Sequence, residues 1–117
     1  MSPADRPPAQ SRWVGPPRHE LPLIDERALV AGRATEAAVA GAHARGQARW
    51  VAFLEPLPDR LRDGDIRELR AAAVRCRAAF GPKDSLRDAL PPELTEPLLE
   101  AVDHLLRELN RYERSLR

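Results

Sequence analysis

The chain is expected to fold as an all-α domain, a small bundle of three or four helices behind a disordered, proline-rich N-terminal arm. Three observations carry that expectation. The stretch Asp65–Pro82 reads as a complete helix with both ends marked. The segment after Pro91-Pro92 repeats leucines at near-heptad spacing as far as Leu116. No segment shows the strict apolar–polar alternation of a half-buried strand. At 117 residues the chain has length for one domain with a single modest core.

In Asp65–Pro82, Asp65 can accept the free amide of Glu68 while Glu68 reaches back to the amide of Asp65, a capping box. Ile66, Leu69, Ala73, Cys76 and Phe80 then fall on one helical face. Gly81 is expected to supply a left-handed exit, and Pro82 forbids continuation. One amphipathic helix cannot bury its stripe alone, so partner helices are required.

Residues 1–21 hold Pro3, Pro7, Pro8, Pro16 and Pro17 among small and polar residues and show no periodicity, the pattern of a disordered arm. Trp13 beside Val14 is its one apolar element and a candidate docking residue. The helical domain is expected over residues 22–117. Its first helix is alanine-rich, with Asp25 as the expected N-cap. Small residues four apart (Ala28 and Gly32, Ala37 and Gly41, Ala42 and Gly46) suggest close packing on a neighbour, with fraying or a bend near Gly46. Trp50, Leu54, Leu57 and Leu61 continue the core stripe, broadened by Phe53, but Pro56 and Pro58 should break the helix near residues 55–58. Ser85 or Asp84 can cap a short helical piece before Leu90. In the last helix Pro92 suits the first position, and Leu94, Leu98, Ala101, Leu105, Leu109, Tyr112 and Leu116 form the face.

The net charge is +1 with 32% charged residues, so no global field favours nucleic acid or an anionic membrane. No apolar run approaches the roughly 18 residues of a membrane span, and no signal-peptide core is present. One cysteine, Cys76, cannot form an internal disulfide, and a reduced cytoplasm is the expected location. No enzyme motif, paired-cysteine metal motif or glycine-rich phosphate loop appears, so neither catalysis nor a cofactor or metal is expected. Glu100, Asp103, His104 and Glu108 could hold a metal but read as a solvated flank. Arg67, Arg70, Arg75 and Arg77 could contact nucleic acid, but no aromatic interleaves them and they spread over a wide face. Cys76 reads as a buried, inert packing residue.

The Arg49-Trp50 pair, a leucine-spaced helix, the Leu61-Arg62-Asp63-Gly64-Asp65 turn, an amphipathic helix and the Gly81-Pro82 exit together resemble the CATRA-associated small proteins. These are helical proteins encoded beside bacterial caspase and TPR conflict systems. The likeness covers about residues 49–82. It implies an accessory or adaptor role, with a caspase-like protease or TPR scaffold as partner and no catalytic residues. The expectation is therefore a non-enzymatic helical interaction module, with a small DNA-binding or antitoxin-like regulator as the alternative. Trp13, Leu105, Leu109, Tyr112 and Leu116 are the candidate interaction residues. The last four also suggest a homodimer through the C-terminal helix, whose apolar face runs almost to the chain end.

Overall fold

The computed structural model describes residues 15–116. A 3-10 turn at Arg18–Glu20 leads into α1 (Pro22–Ala44), α2 (Ala48–Leu54), α3 (Leu57–Asp63), α4 (Ile66–Ala78), α5 (Leu86–Ala89) and α6 (Pro92–Ser115). Among the described residues no strand occurs. The two long helices, α1 and α6, pack along each other and form the frame. The α2–α3 unit lies on α1, and α4 bridges α3 and α6, so the architecture is a four-membered helical bundle with the short α5 added at one end.

Small residues let the frame helices approach. The buried face of α1 is Ile24, Ala28, Ala31, Gly32, Thr35, Ala38, Gly41 and Ala42. A methyl built on Gly41 would overlap the Leu94 side chain of α6, whereas one on Gly32 would only touch Leu61 of α3, at 3.6 Å. Large leucines from the other helices fill the space this leaves: Leu54, Leu57, Leu61, Leu69, Leu98, Leu105 and Leu109 are all fully buried. The buried hydroxyl of Thr35 donates to the Ala31 carbonyl at 2.7 Å, which removes the cost of an unpaired polar group. Trp50 packs edge-on against Phe53 with ring centroids 5.5 Å apart.

The helix signals act as expected at most ends. The Asp65 carboxylate accepts the Glu68 amide at 2.9 Å, and the Asp65 amide donates to the Glu68 carboxylate at 3.2 Å. Ser85 and Asp88 repeat the capping box on α5. The proline pair divides α2 from α3, with Pro56 as the N-cap of α3 and Pro58 in its first turn, where no helical donor is required. Gly46, with φ +65°, gives α1 its left-handed exit. Pro97 is accommodated inside a continuous α6.

Three expectations are corrected. Asp25 does not cap α1: the helix opens at Pro22, and Asp25 is instead held by Arg18 at 2.9 Å. Gly81 is not left-handed, because α4 closes on tightened bonds from Ala79 to Cys76 and from Phe80 to Arg77; the positive φ falls at Asp84. The segment expected as arm up to residue 21 joins the domain from Arg18 onward. The Arg18 guanidinium donates to the carbonyls of Arg62 at 2.6 Å and Gly64 at 3.0 Å, covering acceptors that the end of α3 leaves unpaired. Trp13 lies outside the described residues.

Candidate protein-docking groove

Helix α4 carries two seams. Ile66, Leu69, Ala72, Ala73 and Cys76 face the core. Arg67, Ala71, Val74 and Ala78, spaced by four, three and four, form a second stripe on the outer side. The last turns of α6 run beside that stripe and supply Tyr112, Glu113 and Leu116, while Phe53 of α2 and Ile66 complete the wall. The result is an open, mostly apolar groove of about 820 Å³. Val74 is 53% exposed and Leu116 64% exposed.

Arginines set its rim. Arg70 donates to the Asn110 side chain at 3.0 Å and approaches the Glu113 carboxylate at 3.1 Å, tying α4 to α6. That second contact is an ion pair off the hydrogen-bonding axis, since the same Arg70 nitrogen has no aligned acceptor. Arg75 stacks its guanidinium 4.3 Å from the centre of the Phe53 ring. Arg67 stands at the rim with no carboxylate partner among the described residues. The rim therefore offers cationic groups at Arg67 and Arg75, and its one acid, Glu113, is already engaged by Arg70.

The structure separates the candidate interaction residues. Leu105 and Leu109 are fully buried and belong to the core, so their assignment to a docking surface is corrected. They lie on the same face as Leu116, but at a depth where α1 and α4 cover them. Tyr112 is half-buried in the groove wall, and Leu116 stands exposed at its lip. Sequence reading missed Ala71, Val74 and Ala78 and took Phe53 as core alone. The signal available was the 67, 71, 74, 78 spacing beside the core stripe.

The other constellations do not converge. Asp103 pairs with Arg77 at 3.1 Å, Glu108 with Arg111 at 3.4 Å, and His104 lies 3.5 Å from Arg27. Among the described residues no three His, Cys, Asp or Glu side chains are grouped to hold a metal ion. Cys76 is fully buried, and burial pushes its thiol up to about 12 against a smaller opposing effect of the Thr35 hydroxyl. Such a thiol is not a nucleophile at neutral pH. No helix among the described residues is long and apolar enough to cross a membrane. Comparison of the chain with protein-family models, curated proteins and solved structures returned no match.

Proposed function

We propose that this chain is a non-enzymatic helical interaction module that docks another protein in the α4–α6 groove. One observation carries the reading. Of the large apolar side chains most exposed among the described residues (Leu23, Val74 and Leu116), two stand in the same groove, against Phe53 and Tyr112. Isolated exposed leucines are ordinary on a protein surface, but apolar groups gathered in a concave groove with a charged rim are the pattern of a binding site. The resemblance to CATRA-associated small proteins supplies the setting: an accessory or adaptor protein in the bacterial cytoplasm, serving a caspase-like protease or its TPR scaffold. Genes for such a protease or repeat protein beside this one support that setting, and neighbours that are only housekeeping enzymes oppose it.

The DNA-binding alternative has less support. Tight phosphate binding needs several unpaired cations on one face, yet Arg70 and Arg77 are tied to Glu113 and Asp103, which leaves only Arg67 and Arg75 of the four without a carboxylate. A mobility shift that weakens steeply with salt would restore it.

A photo-crosslinking residue placed at Val74, and at Ala37 on the exposed side of α1 as control, tests the docking reading in the native host. A discrete protein adduct at position 74 that is absent at position 37 is expected. Equal labelling at both positions, or none at 74, would reject the groove as the docking site.

A further inference from the structure

We infer that the occupant of the groove is an acidic amphipathic helix of a partner protein, about three turns long. The inference rests on the docking reading above and names the chemistry of what docks.

Shape argues for a helix. The outer stripe of α4 spans twelve residues from Arg67 to Ala78, roughly 17 Å at a rise of 1.5 Å per residue, which is about three helical turns. Helix α4 forms one ridge, kept low at Ala71 and Ala78 on either side of the exposed Val74 so that another backbone can come close, and the end of α6 with the exposed Leu116 forms the other. A helix with apolar residues at i, i+3, i+4 and i+7 sets one row of side chains between such ridges.

Charge argues for acid. Arg67 and Arg75 have no carboxylate partner among the described residues, and Glu113 is occupied by Arg70. A partner helix with Asp or Glu flanking its apolar row would pair with both arginines where the site excludes water on one side.

The same charges disfavour two other occupants. A second copy paired antiparallel about a two-fold axis, with Ala71 opposite Val74, places Arg70 opposite Arg75 twice, because each pair sums to the same register. That sets like charges together at the interface. The chain's own residues 1–14 carry Arg6 and Arg12 against a single Asp5, and Pro3, Pro7 and Pro8 oppose a helix.

A display library of random peptides of about 16 residues, long enough for four turns, selected against the full chain, tests the inference. Val74→Glu is the groove-blocking control; its site is exposed, so circular dichroism should show an unchanged fold. Selected peptides should be net acidic with helical apolar spacing, and Val74→Glu should weaken them at least tenfold. Replacing Arg67 and Arg75 together by Glu should weaken them about 3- to 30-fold, as expected for two rim charges. Groove-dependent peptides that are neutral or basic would overturn the acidic helix and leave the docking reading standing. Failure to recover any peptide sensitive to Val74→Glu would overturn both. A dimer in sedimentation equilibrium that Val74→Glu dissolves would assign the groove to a second copy. Peptide affinity rising tenfold in Trp13→Ala would assign it to the chain's own N-terminal residues. Either result would overturn the inference.

Discussion

Gly32 sits buried in the middle of α1, where α3 crosses it, and its replacement by alanine should stabilise the protein. A glycine in a helix interior costs about 1 kcal/mol relative to alanine, mainly through the backbone freedom it loses on folding. The usual reason to tolerate that cost is a neighbour too close for a methyl group. At Gly32 the neighbours are not too close. An added Cβ would lie 3.6 Å from the Leu61 Cβ, 3.7 Å from the Pro58 carbonyl oxygen and 4.0 Å from the Arg62 amide nitrogen, all ordinary contacts. Gly32→Ala should therefore gain about 1 kcal/mol, or roughly 3–6 °C in Tm for a domain of this size. Urea denaturation should show the midpoint rising with the slope unchanged. Gly64→Ala is the contrasting case. Its backbone (φ −71°, ψ 154°) suits any residue, yet a Cβ there would run into the carbonyl oxygen of Arg60 and come within 2.9 Å of the Glu68 Cβ. Relief requires moving the α3–α4 turn, at a cost of about 1–3 kcal/mol. A destabilising Gly32→Ala, or a neutral Gly64→Ala, would refute this account of how α3 is seated.

Arg18→Ala should cost about 1–3 kcal/mol, because its side chain, only 12% exposed, holds Asp25 and two backbone carbonyls; Arg18→Lys should restore only part of it, which thermal melting would show. Leu109→Ala should lose about 2–5 kcal/mol by opening a cavity, whereas Leu116→Ala should change stability by less than about 0.5 kcal/mol in the same titration. For Cys76, burial raises the folded thiol to about 12 from the ordinary thiol value of 9.0. Above pH 9 the unfolded chain loses this proton while the folded one keeps it, so stability should fall between about pH 9 and 12. The difference between wild type and Cys76→Ala should be flat below that window and shrink across it. A constant difference to pH 12 would contradict the burial of the thiol.

Most helix ends were legible in the sequence because their causes are local. The capping partners Asp65 and Glu68 lie three residues apart, and Pro56 and Pro58 act within one turn. The start of α1 was not legible. Asp25 looked free to cap, but it is taken by Arg18, which also reaches Arg62 and Gly64 more than forty residues away. The groove was half legible. Tyr112 and Leu116 belong to a visible stripe, but which of its leucines remain exposed depends on how far α1 and α4 cover α6. Ala71, Val74 and Ala78 were hidden because alanines surround the core stripe of α4 on both sides. The pairing of Arg70 with Glu113 and Arg77 with Asp103, which leaves Arg67 as a free rim charge, exists only once α4 and α6 meet.

The most direct test of the central claim is a backbone NMR titration of the full chain with the protein crosslinked at Val74. Amide shifts should concentrate at Arg67, Ala71, Val74, Ala78, Tyr112 and Leu116, with Ala37 and Ala44 on α1 unmoved. Shifts centred on α1 or around Leu23, with the Val74 amide unchanged, would contradict docking in the α4–α6 groove.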